Sequence, residues 1–266
     1  GLRAVLIPDW SETLDGGVWD DYHEIPPGGT PLQSLRETAA ARATLTLYRL
    51  PRKSQASLGS LRGERGAASS VGRWLSERFG VRDCPVDVPL GVGATDALLS
   101  RLVELSGNDV PPAQLAERGR LVDAMVDAHK VLFERRVALV GEPELVLALA
   151  RWCREVGLTP ALCATGSDVG TLRSGLQELD GLECWVLEDS DHAEIAEVAA
   201  DAAVELVIGP SKVRSWARKL GLPTVELGFP IHDRFGASRL RVLGYDGTLQ
   251  LLDRVVNALL AFQQEK

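Results

Sequence analysis

The sequence predicts an α/β protein built from two doubly wound, Rossmann-like parallel-sheet domains that are joined by a long helix. Short aliphatic runs alternate with helical patterns along most of the chain. The runs are apolar at successive positions, which is typical of parallel strands covered by helices on both faces. One helical pattern extends from the Pro111–Pro112 pair to about Phe133. At ~1.5 Å per residue, a helix of that length can bridge two domains.

The predicted strands are the aliphatic runs of the chain, each bounded by turn residues or by a helical pattern. They are residues 2–7, 43–50, 86–88, 137–140, 160–164, 183–187, 204–208 and 224–227. The long helix is expected to turn one apolar side toward the core. That side carries Leu115, Leu121, Val122, Met125, Val126 and Phe133.

We place the domain boundary near Arg135. Residues 1–134 are predicted to form the first domain with the connecting helix, and residues 135–266 the second domain. The first domain is expected to be incomplete at its N-terminus, because Gly1 directly before a strand is typical of the C-cap of an upstream helix. A trimmed initiator methionine is the alternative. The last helix, residues 248–263, is expected to pack back on the fold through Leu252, Val255, Val256, Leu259 and Leu260.

Composition excludes several classes of partner. The net charge of −8 and the pI near 5.1 argue against nucleic acid and against an anionic membrane surface, because phosphate binding depends on clustered Lys and Arg. No apolar run reaches the roughly 18 to 20 residues of a membrane span, and no signal-peptide pattern begins the chain. A cytoplasmic protein is therefore expected. Four widely separated cysteines, without a CxxC pair, are predicted to be reduced thiols: Cys84, Cys153, Cys163 and Cys184.

Local signals predict several helix ends. Thr30 is expected to cap a helix that has Pro31 at its first position and Gln33 in a capping box. Pro143 is expected at another helix start, Ser211 at an N-cap and Gly221 at a helix end. The stretch from Ser54 to Ser70 is rich in Ser, Gly and Arg and is predicted to be an exposed loop or a frayed helix.

Two patterns qualify as ligand sites, and a structural interpretation is favoured for both. "GVGATD" begins like a dinucleotide fingerprint, but Asp96 stands where the third glycine is needed, so a plain strand-to-helix turn is favoured. The loops at the carboxyl ends of the later strands lie where doubly wound folds bind ligands, yet their residues are also ordinary helix caps. These loops are Gly141, Thr165–Ser167, Asp189–His192 and Gly209–Ser211, with Lys212 adjacent.

Signatures of catalysis are absent from the sequence. There is no GxSxG motif and no cysteine with a thiolate signature, although a triad split along the chain stays open. The four histidines, His23, His129, His192 and His232, lack the HxxxH or HxH spacing of many metal sites. His129 is expected at the edge of the core. No catalytic, cofactor-binding or metal-binding residue is therefore assigned.

The segment "GFPIHDRFG" is predicted to be a rigid structural loop. Gly228 and Pro230 give a sharp exit from a buried strand. Asp233 and Arg234 are expected to hold the loop by an ion pair or by capping backbone N–H groups, and His232 has no evident titratable partner. "GYDGT" is expected to form a second turn through Gly244 and Gly247 and to cap the last helix.

Those two motifs also carry a resemblance to a known family. "LPTVELGFPIHDRFG" followed by "VLGYDGTLQLLDRVVNALL" resembles the C-terminal end of beta-type subunits of the nitrogenase component 1 family. "LIPDWSETLDG", "PPGGT", "PLGVGATDALL", "ELSGNDVP", "ERGRLVDAMVDAH" and "ALVGEPELVLALARWCREVGLTP" are similar to the family in the same order.

The resemblance implies a biosynthetic role. The family's catalytic beta subunit carries a histidine-rich run after the Asp-Arg pair, whereas Phe235, Gly236, Ala237 and Ser238 follow here, as in NifN, the beta-type subunit of the iron-molybdenum cofactor assembly scaffold. The implied partner is an alpha-type, NifE-like subunit in an alpha2beta2 assembly, with the nitrogenase iron protein as a further partner. Alternatives are the catalytic beta subunit, a protochlorophyllide reductase subunit and, from another class, a nucleotide-dependent transferase.

The resemblance also implies where the cofactor is held. Family members have three α/β domains, and the cysteines that bind the bridging iron-sulfur cluster belong to the first of them. None of the four cysteines here matches a cluster-ligand motif of the family. The cluster of the complete complex is therefore expected to be ligated by that first domain and by the partner subunit.

Overall fold

The computed structural model describes residues 2–9, 21–22, 24, 28–47, 70–167 and 170–264. In chain order these residues form α1 (Leu32–Glu37), β1 (Ala43–Thr46), α2 (Val71–Phe79), β2 (Arg82–Pro85), α3 (Val92–Ser106), α4 (Pro112–Leu132), β3 (Arg136–Val140), α5 (Pro143–Glu155) and β4 (Thr159–Ala164). They continue as α6 (Thr171–Gln177), β5 (Trp185–Leu187), α7 (His192–Asp201), β6 (Leu206–Gly209), α8 (Val213–Lys219), β7 (Thr224–Glu226) and α9 (Gly244–Gln264). The predicted α/β class with parallel sheets is confirmed.

A parallel sheet in the order β5-β4-β3-β6-β7 forms the second half of the chain. All five strands predicted there are present. Alternate residues of β3 point into separate apolar clusters, with Val137 and Leu139 in one and Ala138 and Val140 in the other. Both faces of the strand are buried, as its unbroken apolar sequence predicts. The strand order reverses between β3 and β6, which is the topological switch point of the sheet.

The first half of the chain contains a two-stranded parallel sheet, β1 with β2. The strand predicted at 86–88 is wrong, because pairing with β1 falls on the polar residues from Arg82 to Pro85. The strand predicted at 2–7 is also wrong. In that segment the carbonyl of Leu6 accepts from Thr30 Oγ1 at 2.6 Å, and no strand of the described chain pairs with it. A strand requires a neighbour, which an aliphatic sequence alone does not supply.

Helix α4 has the predicted position, and its apolar side is partly corrected. Leu121, Ala128 and Leu132 are buried where α4 meets α9 and the core of the five-stranded sheet. The covered side is narrower than predicted, since a helix buries only the stripe that faces its neighbours. Four residues expected on the buried side are exposed: Leu115, Val122, Val126 and Phe133.

One apolar cluster runs across the predicted domain boundary. It joins Leu90, Leu121 and Leu132 of the first half to Trp152 and Leu251 of the second. Helix α9 packs along α4, as expected, and buries Leu252, Val255 and Leu259, whereas Leu260, predicted on the same side, is exposed. The boundary near Arg135 falls in the link between α4 and β3 and stays a prediction.

The helix ends test the capping predictions. Pro143 begins α5, and Gly221 follows α8 with φ of 65°, both as predicted. The Thr30 cap is wrong, because its hydroxyl bonds to Leu6 and to the N–H of Asp9 instead, and α1 has no side-chain cap. Residues 54–69 and His23 lie outside the described residues. Among the helices that are described, none combines the length and the hydropathy of a membrane span.

Candidate functional site

The loop of residues 228–236 leaves the sheet at β7 and is tied to the loop that precedes α8. Ser211 makes the connection. Its N–H donates to the carbonyl of Pro230 at 3.1 Å, and its Oγ accepts from the N–H of His232 at 2.8 Å. The same hydroxyl donates to Asp233 Oδ1. The prediction that Ser211 caps α8 is therefore wrong, since its side chain bonds to a segment 21 residues away.

Asp233 is the acidic centre of this loop. Besides Ser211, it contacts Arg214, whose Nη1 lies 3.2 Å from Asp233 Oδ2. The hydrogen bond from Ser211 and the charge of Arg214 hold the pKa of the Asp233 carboxyl below its ordinary value. The structure thus pairs Asp233 with Arg214 rather than with the neighbouring Arg234. Arg214 also bonds Glu226 Oε1 at 3.2 Å and so links the loop to β7.

The exit from β7 requires a glycine. Gly228 has a φ of 90°, in the left-handed region that side chains disfavour. A Cβ there would lie 3.0 Å from Leu145 Cδ2. The peptide bond between Phe229 and Pro230 is cis. The loop ends in an exposed tip, where Phe235 is 96% exposed and Arg239 lies over its ring, with Cζ 5.1 Å from the ring centroid.

Replacing Asp233 by Ala should lower the melting temperature slightly, because Ser211 and Arg214 lose a partner at the surface. Folding lowers the pKa of the Asp233 carboxyl. Its contribution to stability is therefore fully present above the pKa of the unfolded chain and is lost as the pH falls through the pKa of the folded protein. The melting difference between Asp233→Ala and the parent should therefore vanish in strong acid. Thermal melts across pH measure it. His232→Phe is the control and should melt like the parent, because the bond of His232 to Ser211 uses its backbone.

The other loops at the carboxyl edge of the sheet contact one another. Ser190 N–H donates to the carbonyl of Thr165 at 3.4 Å, and Ser167 Oγ lies 3.3 Å from Glu142 Oε2. His192 Nδ1 is buried without a hydrogen-bond partner among the described residues, and burial lowers the pKa of that imidazole. The described chain contains no group of three or more His, Cys, Asp or Glu side chains that could hold a metal ion. The structural interpretation of these loops, favoured over a small-molecule site, stays a prediction.

The "GVGATD" turn holds a carboxylate of the protein itself. Glu155, at the end of α5, accepts from the N–H of Val92 at 2.8 Å and of Gly93 at 3.0 Å, at the N-terminus of α3. A Cβ on Gly91 would lie 2.5 Å from Glu155 Oε2, so this glycine makes room for the carboxylate. The N–H groups that a dinucleotide phosphate would need are already used. The structure thus supports a plain turn over a cofactor site.

Asp96 of the same motif joins three helices. It accepts from Arg118 Nε and Nη2 of α4 at 2.9 Å each and from Tyr245 Oη of α9 at 2.5 Å. Arg118 keeps the pKa of Asp96 below its ordinary value, while burial and Asp96 raise the pKa of Tyr245 to about 12. Nearby, Thr248 Oγ1 accepts from the N–H of Gly91 at 3.0 Å.

"GYDGT" is the first turn of α9 rather than a separate turn before it. Gly244 begins the helix with φ of 71°, and its N–H donates to the carbonyl of Pro89 at 2.8 Å. Gly247 is buried in that turn. A Cβ on it would lie 2.8 Å from the backbone carbon of Val242. Gly244 therefore provides the positive φ at the start of α9, and Gly247 permits the close approach of the helix to Val242.

The fold brings together three cysteines that are far apart in sequence. Cys153, Cys163 and Cys184 belong to the same apolar cluster, and the thiol of Cys163 donates to Cys184. Burial raises the pKa of Cys153 and contributes to the rise in that of Cys163. The Cys163 hydrogen bond and the charge of Arg173 lower the pKa of the half-buried Cys184.

Cys184 should therefore react with iodoacetamide first among these three, because a thiolate is the nucleophile and its pKa is the lowered one. Cys153 and Cys163 should be modified only when the protein unfolds, since both are fully buried. Mass spectrometry of peptides from a timed reaction measures the order. Equal modification of Cys153 and Cys184 under native conditions would contradict this arrangement.

Comparison with known proteins gives consistent matches over almost the entire chain. The family model for nitrogenase component 1 type oxidoreductases matches residues 6–260. The nitrogenase molybdenum-iron protein beta chain of Frankia alni is 30% identical over 266 residues, which cover 98% of this chain and 47% of that protein. The corresponding beta chain of Clostridium pasteurianum is 30% identical over 263 residues, which cover 97% of this chain and 54% of that protein.

A solved structure described as nitrogenase Cp1 at pH 6.5 has a TM-score of 0.80 and 30% identity. The match covers 97% of this chain and 54% of that one. The chain therefore spans about half the length of the relatives that it matches.

Proposed function

The chain belongs to the nitrogenase component 1 type oxidoreductase family, and on that premise we propose that it is part of a NifN-like scaffold subunit on which the iron-molybdenum cofactor is assembled. The beta-type character of its relatives supports a beta-type role. The proposed partner is an alpha-type, NifE-like subunit in an alpha2beta2 assembly, with the nitrogenase iron protein as a further partner. A cytoplasmic location stays a prediction from the sequence.

The observation that carries the scaffold role is the sequence after Asp233 and Arg234. The resemblance implies a histidine-rich run at this place in catalytic beta subunits, whereas Phe235, Gly236, Ala237 and Ser238 follow here. Phe235 is almost fully exposed on a loop that Ser211 and Asp233 hold in place. This loop carries no such histidines, so it cannot perform the role that the histidine side chains have in a catalytic subunit.

The catalytic beta subunit is the second candidate. It is favoured by the names of the relatives, which are molybdenum-iron protein beta chains and, at 29% identity, a vanadium-iron protein beta chain of Trichormus variabilis. A nucleotide-dependent transferase has less support, because Glu155 occupies the backbone N–H groups of the "GVGATD" turn.

Two of the described cysteines fit poorly as ligands of an iron-sulfur cluster, and no group of three or more His, Cys, Asp or Glu side chains lies together in the described residues. Cluster iron binds thiolates, and the pKa of two fully buried thiols, Cys153 and Cys163, is raised. We therefore place the cluster ligands of the complete assembly outside this chain and in the partner subunit. The contribution of this chain is a folded surface rather than a coordinating group.

An in vitro maturation assay tests the proposal. The complete protein, purified anaerobically with its alpha-type partner, should deliver a precursor that activates cofactor-free component 1. It should not itself reduce dinitrogen when the iron protein is added. Dinitrogen reduction by the purified complex, without any other component 1, would establish the catalytic subunit instead.

A further inference from the structure

A surface pocket of about 330 Å³ opens between the edge strand β7 and helix α9. Thr224 and Val225 line it from the strand, and Asp253, Arg254 and Asn257 line it from the helix. Arg234 of the 228–236 loop forms a further wall. The volume lies at the lower end of the range for small-molecule sites. This pocket is separate from the carboxyl-edge loops and from the "GVGATD" turn.

Arg254 is held in the pocket with unsatisfied nitrogens. Its Nη2 donates to the carbonyl of Glu226 in β7, which fixes the side chain against the sheet. Its Nε and Nη1 are buried and have no hydrogen-bond partner in the part of the chain that the structure describes. Burial and the positive charge of Arg234 lower the pKa of Arg254, and the negative charge of Glu226 opposes that shift. Buried guanidinium nitrogens without hydrogen-bond acceptors are costly, and native proteins usually pair them.

Arg234 also lacks a partner. Within the described ranges it makes no hydrogen bond and no ion pair, although it is exposed and adjoins Asp233. Asp233 is engaged by Ser211 and Arg214. The carboxylate of Glu226 is likewise engaged by Arg214 at 3.2 Å. Two arginines thus face one pocket, while the two nearest acids, Asp233 and Glu226, share the single guanidinium of Arg214.

Asp253 gives the pocket an acidic rim. Its carboxylate forms no ion pair within 4.0 Å with either pocket arginine in the described structure. The lining therefore keeps an excess of one positive charge, and the amide of Asn257 adds a hydrogen-bond donor. An anion that enters would contact Arg234 directly and would face the Arg254 charge across the pocket floor.

We propose that this pocket binds a small oxyanion, a carboxylate or a phosphate group, between Arg234 and Arg254. Guanidinium groups form short, charge-assisted hydrogen bonds with both kinds of oxyanion, so the two share one recognition chemistry. Binding would give Arg234 the partner that the described residues do not. It would also fix the 228–236 loop against α9, because Arg234 belongs to that loop.

Calorimetric titration of the purified chain with inorganic phosphate and, separately, with succinate at constant ionic strength tests the proposal. Saturable binding of at least one anion is expected, and the two arms tell which oxyanion is preferred. Arg234→Ala should weaken that binding at least tenfold, a loss of about 1.4 kcal/mol. Asn257→Asp should weaken it similarly, because it adds a negative charge to the lining while leaving both arginines in place. Arg218→Ala, which removes an exposed arginine of α8, is the matched control and should bind like the parent.

Each variant is first melted, and only variants that melt like the parent are titrated. Because Arg254 also bonds the backbone of Glu226, it is left unchanged in this series. No saturable binding of either anion to the parent would overturn the proposal. So would unchanged binding by Arg234→Ala or by Asn257→Asp, or an equal loss in Arg218→Ala, which would indicate nonspecific charge attraction.

Discussion

Replacing Gly247 by Ala should destabilise the protein by about 1–3 kcal/mol, even though alanine is the better helix former. The new Cβ would lie 2.8 to 3.1 Å from the backbone C, N and Cα atoms of Val242. Backbone cannot swing aside as a flexible side chain can. The start of α9 would therefore have to move away from the segment before it.

The matched control is Gly119→Ala, in the interior of α4. No atom of another described segment lies within 4 Å of the Cβ position there, and the residue is exposed. This change should stabilise the protein by up to about 1 kcal/mol, the usual helix-propensity difference. Urea unfolding of both variants measures whether each substitution raises or lowers the free energy of unfolding. If Gly247→Ala were as stabilising as Gly119→Ala, the close approach of Gly247 to the backbone of Val242 would not exist in solution.

Replacing Asp96 by Ala should cost about 1–2 kcal/mol. Arg118 loses a bidentate partner that is partly exposed, and the hydroxyl of the buried Tyr245 loses its acceptor. Tyr245→Phe removes only the hydroxyl and should cost less than Asp96→Ala. A double-mutant cycle between Asp96 and Tyr245, followed by urea unfolding, gives the coupling. A coupling of zero would mean that Tyr245 does not depend on Asp96.

The Asp96 effect should depend on pH. Its folded pKa lies below the ordinary value of 3.8, chiefly because of the hydrogen bond from Arg118. The stabilisation is therefore fully present above the unfolded pKa and is lost as the pH falls through the folded pKa. The difference in unfolding free energy between the parent and Asp96→Ala should stay constant near neutral pH and narrow in acid. A difference that widens in acid would contradict the lowered pKa.

The second half of the fold was predictable because the apolar pattern that marks each strand lies within the strand itself. β3, β4 and β6 are continuous apolar runs, and burial on both faces is what such runs require. The first half was less predictable. β2 contains Arg82 and Asp83, so its sequence lacks the apolar run of a buried strand. Residues 2–7 have such an apolar run, but no strand of the described chain pairs with them.

The side-chain hydrogen bonds that hold these loops were not predicted, because they join segments that are far apart in the sequence. Thr30 and Ser211 are sound local capping residues, but each bonds to a segment more than 20 residues away. Glu155 meets Val92 across 63 residues, and nothing in its own helix marks it. The sequence favoured a plain strand-to-helix turn at "GVG", but it did not identify the carboxylate of Glu155 that the turn accommodates. Nothing in the sequence around Arg254, apart from its own charge, indicates that it lines a pocket.

A genetic measurement tests the scaffold role most directly. In the source organism, the gene for this protein is deleted while the catalytic component 1 genes are left intact, and extracts are assayed for dinitrogen reduction with and without added isolated iron-molybdenum cofactor. If the protein is a scaffold subunit, the extract is inactive alone and becomes active when the cofactor is added, because intact component 1 lacks only the cofactor. If the extract stays inactive with cofactor present and recovers only with purified component 1, the protein is a catalytic subunit and the scaffold account is wrong.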